Sequence, residues 1–368
     1  MNIKQAKQEI THTLKAYLSK DKLGNYLIPP VRQRPILLMG PPGVGKTQIM
    51  EQVAAETGVG LVSYTITHHT RQSAVGLPFI EKRTYGGEEY AVTEYTMSEI
   101  LASVYSLMEK TGLKEGILFL DEINCVSETL APMMLQFLQC KTFGNQRLPE
   151  GWLIAAAGNP PEYNRSVRDF DVVTLDRVKR IDVREDFAVW KEYARAKGLH
   201  GAVVSYLDIK KENFYRVETT AEGLQFATAR GWEDLSELLA AYEALGLRAD
   251  REVVGQYIQL PRIARDFANY LELYHKYQNI YHVDEILKGI WQPITVRELR
   301  AAPFDEKLSV MGLLLSRLSE AARETRRQDS LCENLHAALT KFKEDLAAGE
   351  DPQAVLETLT GERREALK

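Results

Sequence analysis

Cysteine is scarce in this sequence. It occurs three times in 368 residues, at Cys125, Cys140 and Cys332, and none of the three belongs to a CxxC pair. An odd number of cysteines without such a pair argues against a disulfide framework. We expect reduced thiols, which are typical of a reducing cytosol, and therefore a cytoplasmic protein.

Long apolar runs are also lacking. The chain has no stretch of about 18 consecutive apolar residues, so we expect no membrane-spanning helix. Residues 1–8 read Met-Asn-Ile-Lys-Gln-Ala-Lys-Gln. This polar start lacks the apolar core of a secretory signal peptide, and no signal peptide is expected.

Positive charge is not in excess, because the formal net charge is −5. Binding to the phosphates of duplex DNA requires clustered Lys and Arg side chains. The charge balance therefore argues against nucleic acid as the main partner, although an acidic protein can carry a local basic lining.

Four short apolar runs form the framework of the first half of the chain. They occupy residues 36–39, 60–64, 117–120 and 153–157. Helical patterns lie between them, for example at 48–57 and 128–139. Buried strands that alternate with helices are typical of an α/β fold with a parallel sheet covered on both faces.

The pattern changes at about residue 186, after which we expect no further strands. Helical patterns follow at 187–197, 233–245, 261–279, 305–325 and 330–347. The sequence thus predicts three parts. These are an α/β core over 1–185, a helical domain over 186–280 and a C-terminal helical extension over 281–368.

One segment fits the phosphate-binding loop G-x-x-x-x-G-K-[ST]. Its residues are Gly40, Pro41, Pro42, Gly43, Val44, Gly45, Lys46 and Thr47. The glycines allow successive N–H groups to point at one anion, and the helix that follows adds its positive N-terminal end. Lys46 is predicted to reach the β- and γ-phosphates of ATP, and Thr47 to ligate Mg²⁺. The strand before the loop and the helix after it favour this reading over an accidental Gly/Pro turn.

A carboxylate pair, Asp121 and Glu122, ends the third apolar run. Parallel strands deliver side chains at their carboxyl ends, beside the phosphate loop. We expect Asp121 to orient the Mg²⁺ shell, through water, and Glu122 to act as general base toward the attacking water. A surface Asp-Glu pair is the alternative, but the preceding apolar strand favours the functional reading.

Three motifs together resemble the AAA+ ATPases of the MoxR type. They are the loop at 40–47, Asp-Glu-Ile-Asn at 121–124 and Ala-Gly-Asn-Pro at 157–160. The resemblance covers about residues 30–240. It implies a P-loop αβα core followed by a helical lid, with ATP and Mg²⁺ as ligands and ATP hydrolysis as the activity.

The same resemblance implies a homo-oligomeric ring of six subunits. It further implies chaperone-like remodelling of a protein client and a partner that carries a von Willebrand A domain. The sequence does not identify the client.

The resemblance also assigns three polar residues. Asn159 matches sensor 1, which helps to hold the water against the γ-phosphate, although an Asn-Pro turn is the common alternative. Arg177 is the candidate arginine finger, within a stretch at 171–180 that resembles Leu-Asp-Arg-Phe but has Val178 in place of the aromatic residue. Arg180 and Arg168 are the alternatives.

Sensor 2 requires an arginine at the start of a lid helix. Residues 227–233 resemble a Thr-Pro-Arg-Ser-Trp-Glu pattern of MoxR-like proteins, with Ala229 in place of the proline, and this assigns Arg230. Arg262, which follows Pro261, is the rival.

The interval between Lys46 and Asp121 is long for the elements that it must contain. Two β-prone runs at 77–85 and 88–95 flank Gly86-Gly87, which predicts a hairpin with a primed turn. Such a hairpin matches the helix-2 insert of MoxR proteins, whose charged tip faces a pore or partner. An ordinary surface hairpin is the alternative.

Two other functions remain to be weighed against the ATP-driven machine. The first is a nucleic-acid motor, because related inserts occur in helicases, but the acidic net charge of the chain argues against it. A nucleotide-gated scaffold with little turnover is disfavoured by the presence of Glu122, Asn159 and Arg177. A GTPase is not expected, because no Asn-Lys-x-Asp motif occurs.

Overall fold

A computed structural model of the protein describes residues 1–347, except 69, 71, 73, 75, 144, 145, 164–166, 168, 169, 221, 222 and 291. The chain forms two compact units. The first contains Met1–Tyr193, Glu212–Asp234 and Tyr257–Leu260. The second contains Ala194–Lys211, Leu235–Gln256 and the described part of 261–368. Because these pieces interleave along the chain, the division into 1–185, 186–280 and 281–368 stays a prediction.

In the described part of the chain the strands form one five-stranded sheet and three antiparallel pairs. They are β1 (Ile36–Met39), β2 (Gly60–Thr65), β3 (Pro78–Tyr85), β4 (Glu88–Tyr95), β5 (Gly116–Asp121), β6 (Thr142–Phe143), β7 (Gln146–Arg147), β8 (Trp152–Gly158), β9 (Lys179–Asp182), β10 (Arg216–Thr220) and β11 (Gly223–Ala227).

The helices begin and end as follows. Those that start in the first unit are α1 (Ile3–Leu18), α2 (Lys46–Thr57), α3 (Glu99–Thr111), α4 (Ala131–Cys140), α5 (Val172–Arg177), α6 (Phe187–Lys197) and α8 (Ala229–Ala244). The others are α7 (Gly201–Ile209), α9 (Arg251–Tyr257), α10 (Pro261–Ile280), α11 (Val283–Leu287), α12 (Pro293–Ala301) and α13 (Phe304–Ala347).

The large sheet is parallel and has the order β2-β5-β8-β1-β9. Its first four members are the four strands that the apolar runs predict. The fifth, β9, was not predicted, because its sequence Lys-Arg-Ile-Asp carries one buried apolar residue, Ile181. Strand β9 lies at an edge of the sheet, where a strand needs to bury only part of its side chains, and its three charged residues interrupt the apolar run that marks the other four strands.

The two faces of the sheet have separate cores. Strand β1 shows why, since Leu37 and Met39 join one cluster while Ile36 and Leu38 join the other. This alternation follows from the two-residue period of a strand. Helices α3 and α4 contribute buried residues to the first cluster, and α1 and α2 to the second. The result is the predicted three-layer α/β core.

The predicted hairpin at 77–95 is present as β3 and β4, paired antiparallel from Pro78–Tyr95 to Tyr85–Glu88. Gly86 and Gly87 connect the strands with φ values of 62° and 93°. Both angles lie in the left-handed region that favours glycine, as a type I′ turn requires. The two strands are largely exposed.

Two expectations for the second half were wrong. Strands do not stop at residue 186, because β10 and β11 form an antiparallel hairpin. The sequence of β10, Arg-Val-Glu-Thr-Thr, alternates as a strand does. Such a short alternating run is hard to recognise between segments with helical periodicity. The helices expected at 305–325 and 330–347 are one continuous helix, α13. Residues 326–329, Arg-Arg-Gln-Asp, contain no glycine or proline to end it.

The second unit is helical, and aromatic residues of α10 pack on its neighbours. The ring centroids of Phe267 and Tyr206 are 5.1 Å apart. The Tyr270 hydroxyl donates to Ser205 Oγ of α7 at 2.9 Å. Helix α13 lies so close to α7 that a Cβ atom at Gly312 would be 2.8 Å from Ser205 Cβ.

Two further sequence expectations can be compared with the described residues. Cys125, Cys140 and Cys332 are thiols outside any disulfide, in line with the expected reduced state. None of the helices that the structure describes combines the length and apolar character needed to cross a membrane.

Candidate functional site

The phosphate loop connects the end of β1 to the start of α2. Gly43 and Gly45 have φ values of 76° and 88°, conformations that residues with a Cβ atom rarely adopt. Helix α2 begins at Lys46, and Gly45 supplies no side-chain cap for its first N–H groups. Unpaired N–H groups at the positive end of a helix make a concave site for an anion.

Lys46 is held inside this loop and is 8% exposed. Its Nζ atom donates to the carbonyl oxygens of Gly40 and Pro41, each at 2.8 Å, and to Asn159 Oδ1 at 2.9 Å. These three bonds use all three protons of the ammonium group. A phosphate oxygen that binds Lys46 must therefore replace at least one of these acceptors.

Charged groups of four residues act on one another at this point. Burial lowers the pKa of Lys46 to about 8; the charge of Asp121 raises it, that of Arg230 lowers it and that of Glu122 raises it. The charges of Asp121, Glu122 and Arg230 therefore all act on Lys46, which places near it three residues that the sequence analysis had grouped only by motif.

Asp121 and Thr47 are brought into direct contact. Thr47 Oγ1 donates to Asp121 Oδ2 at 2.9 Å, and the Glu122 N–H donates to Asp121 Oδ1 at 2.9 Å. Hydroxyl, carboxylate and water oxygens are the ligands that Mg²⁺ prefers. The two residues thus have the right chemistry and neighbourhood for a shared Mg²⁺ shell.

Glu122 follows with a strained backbone, since its φ of 56° is unusual for a residue other than glycine. Such strain occurs often at functional sites. Thr67 Oγ1 donates to Glu122 Oε2 at 2.9 Å. The sequence analysis missed Thr67. Its signal was available, because it lies just beyond the carboxyl end of β2, and Thr65 pairs with Asp121 in the sheet.

Asn159 is positioned by Asn124, a buried residue that the sequence reading quoted without a role. Asn124 Nδ2 donates to the Asn159 carbonyl at 2.7 Å, and the Asn159 N–H donates to Asn124 Oδ1 at 3.3 Å. A Cβ atom at Gly158 would lie 2.6 Å from Asn124 Oδ1, so this position requires glycine. The pair fixes the backbone from which the Asn159 side chain reaches Lys46.

Arg230 meets the loop from the start of α8. A Cβ atom at Gly43 would lie 3.2 Å from Arg230 Cβ, which means that the first turn of α8 packs directly on the loop. A second residue of the first unit that the sequence reading missed, Tyr215, donates its hydroxyl to the Pro42 carbonyl at 2.9 Å. The rival arginine, Arg262, lies in the first turn of α10 in the second unit.

Two of the three finger candidates, Arg177 and Arg180, occupy exposed positions. Arg177 ends α5, and its guanidinium donates to Gln139 Oε1 of α4. Arg180 Nε donates to Asp182 Oδ1 at 2.9 Å. Neither contact is with the phosphate loop, and Arg168 lies outside the described residues. Val178, which follows Arg177, is buried in a core cluster.

A cavity of about 230 Å³ adjoins the loop within the first unit. Its aromatic lining includes Tyr193 together with Trp190 and Phe214, whose ring centroids are 5.0 Å apart. Val44 of the loop, Ile3 of α1 and Ala229 of α8 add apolar surface. An apolar, partly aromatic cavity beside a phosphate loop can accommodate the base of a nucleotide. Sequence periodicity did not indicate this cavity.

Comparison with protein families gives a match to part of the chain. Residues 36–175 match the family described as ATPase family associated with various cellular activities (AAA). This part of the chain contains the phosphate loop, Asp121, Glu122 and Asn159, and the match supports an ATP-dependent activity for it. No curated protein matches the chain.

Proposed function

We propose that this protein binds ATP with Mg²⁺ and hydrolyses it, as an AAA+ ATPase of the MoxR type. The observation that carries the proposal is the meeting of Lys46, Asn159, Asp121 and Thr47 at one edge of the parallel sheet. The AAA match over residues 36–175 supports it.

The ATP phosphates would be held by the loop. Its N–H groups and the Lys46 ammonium surround the β- and γ-phosphates, while the adenine enters the cavity beside Trp190 and Phe214. Mg²⁺ bound through Thr47 and, through water, Asp121 would neutralise charge on the phosphates. Arg230, as sensor 2, adds a second cation, whose charge already acts on Lys46 in the free protein.

Hydrolysis needs a base at the γ-phosphate. Glu122 accepts a proton from the water as its oxygen bonds to phosphorus, and the bond to the bridging oxygen of ADP breaks. Asn159 helps to hold the water. Thr67, which binds Glu122 Oε2, restrains the carboxylate between turnovers.

We further infer a homo-oligomeric ring, six-membered by resemblance, in which Arg177 completes the site of the adjacent subunit. AAA proteins typically oligomerise. The exposed position of Arg177 at the end of α5 suits a residue that acts on a neighbour.

A subunit-mixing experiment tests hydrolysis and the ring together. Glu122→Gln should bind ATP but lose turnover by about 10²–10⁴-fold, because the amide cannot accept the proton. Arg177→Ala should lose about 10³–10⁵-fold, because it deprives the neighbouring site of a cation. Mixed under subunit exchange, the two variants should recover part of the wild-type rate at interfaces that combine an intact Glu122 with an intact Arg177.

Each result has a distinct meaning. Wild-type protein that binds ATP without turnover would leave the nucleotide-gated scaffold as the function. Exchange without recovery would remove Arg177 as a finger in trans, and full activity of Arg177→Ala would transfer the role to Arg180 or Arg168.

The exposed β3–β4 hairpin is proposed as the element that contacts the protein client or a partner with a von Willebrand A domain. Deleting residues 79–95 and joining the ends should leave ATP binding intact and abolish capture of the client by the Glu122→Gln variant. Loss of ATP binding would place the hairpin in the core. ATPase stimulation by DNA that falls steeply with salt would favour the nucleic-acid motor instead.

A further inference from the structure

The segment Glu212–Asp234 of the first unit contacts the phosphate loop at two neighbouring positions. Tyr215, near its start, donates a hydrogen bond to the Pro42 carbonyl at 2.9 Å. The first turn of α8, near its end, packs on Gly43 through Arg230. The segment is closed on itself, because Trp232 Nε1 donates to the Asn213 carbonyl at 3.2 Å.

The bond to Pro42 fixes the orientation of one peptide plane. In a trans peptide the C=O group of one residue and the N–H group of the next point in opposite directions, and the described part of the chain has no cis peptide. With the Pro42 oxygen held by Tyr215, the Gly43 N–H points in the direction opposite to that carbonyl.

That N–H group matters because of the two residues that precede it. Pro41 and Pro42 have no N–H to offer an anion, so Gly43 supplies the first N–H after Gly40. Glycine also has the least resistance to rotation of its peptide. Among the described residues the Gly43 N–H has no hydrogen-bond acceptor of its own.

We propose that Tyr215 is a positioning residue for the phosphate loop. By holding the Pro42 carbonyl it aims the Gly43 N–H at the phosphates of the nucleotide, and through its segment it couples the loop to Arg230. The inference rests on the proposed ATP binding and adds a residue of the first unit, distant in sequence from the loop, to the phosphate site.

The surroundings of Tyr215 suit a permanent donor. Burial raises its pKa far above the ordinary value for tyrosine, and the neighbouring Tyr163 and Glu185 raise it further. The Tyr215 hydroxyl therefore keeps its proton throughout the physiological pH range. The Tyr163 ring meets the Tyr215 ring edge-on, with centroids 6.5 Å apart, and holds it in place.

The test removes the hydroxyl and keeps the ring. Tyr215→Phe should raise the Kd for ATP and for inorganic tripolyphosphate by about two- to tenfold, the effect of one hydrogen bond. The Kd for adenosine should not change, because adenosine has no phosphate. In steady-state kinetics the KM for ATP should rise with kcat unchanged, since the contact serves bound ATP and the transition state alike.

Tyr163→Phe is the matched control and should leave all three affinities at wild-type values. Equal binding of ATP and tripolyphosphate by wild type and Tyr215→Phe would overturn the inference while leaving the proposed function intact. A parallel loss of adenosine affinity together with a lower Tm would also overturn it, since that result describes a structural residue. Absence of ATP and tripolyphosphate binding in the wild type would instead refute the proposed function and this inference with it.

Discussion

Two buried lysines, in different regions of the first unit, invite comparison. Lys46 lies in the phosphate loop and Lys141 follows α4; each is 8% exposed, and burial lowers the pKa of each to about 8. By burial and pKa alone the two residues are equivalent.

Their surroundings separate them. Lys46 Nζ has three oxygen acceptors within 2.9 Å, and the carboxylates of Asp121 and Glu122 raise its pKa against the effect of burial. Lys141 Nζ is 3.5 Å from Gln33 Oε1, and the nearby charge that acts on its pKa is the cation Arg147.

A perturbed pKa therefore does not by itself identify a functional lysine. Lys46 lies in an open loop with N–H groups that need an anion, whereas Lys141 occupies the left-handed C-cap of α4 beside a short hairpin. At Lys46 the positive charge can bind an anion. At Lys141 the positive charge has no such partner to bind, and its burial only costs free energy.

The largest expected difference is in nucleotide binding. Lys46→Met should raise the Kd for ATP by about 100-fold or more, because it removes a cation that makes charge-assisted hydrogen bonds to phosphate. Lys141→Met should bind ATP as the wild type does. Isothermal calorimetry at pH 7 measures both, and equal affinities in the two variants would remove the distinction between these lysines.

Replacement of Lys141 should increase the stability of the protein. The pKa of Lys141 is lowered on folding, so its protonated form opposes folding below pH 8, and this penalty fades as the pH rises from 8 toward 10.5. Lys141→Met should therefore raise the free energy of unfolding by about 1–3 kcal/mol at pH 7. Urea denaturation at pH 7 and pH 10 checks this: the gain should shrink at the higher pH, and a constant gain would attribute it to packing.

The smallest effect concerns the pH dependence of ATP binding. Lys46 loses its proton near pH 8 in the free protein, and bound phosphates raise its pKa, so binding takes up a proton above pH 8. The Kd for ATP should rise about tenfold from pH 7 to pH 9. Lys46→Arg keeps its charge at these pH values and should show a flat profile, whereas a flat profile in the wild type would contradict the lowered pKa.

Much of the core could be read from the sequence. Apolar runs identify β1, β5 and β8, which lie inside the sheet and are buried on both faces, and also the edge strand β2. The other edge strand, β9, was missed because three of its four residues are charged. The β10–β11 hairpin escaped because short alternating runs between helices give a weak signal, and α13 was divided because helical periodicity does not show where one helix continues into the next.

The residues of the candidate site also fall into those that could be predicted from the sequence and those that could not. The sequence predicts the loop at 40–47, the carboxylates Asp121 and Glu122, and Asn159. Each of them lies at the end of a buried strand, and parallel strands bring their carboxyl ends together at one edge of the sheet.

The side chains that contact these site residues follow from the tertiary packing and not from the local sequence. It placed Arg230 and Tyr215 against the loop and Thr67 on Glu122. It also formed the cavity beside Trp190 and Phe214. Sequence patterns report the local periodicity of the backbone. The contact between Tyr215 and a loop 173 residues earlier depends on how intervening elements pack, and no local pattern encodes that packing.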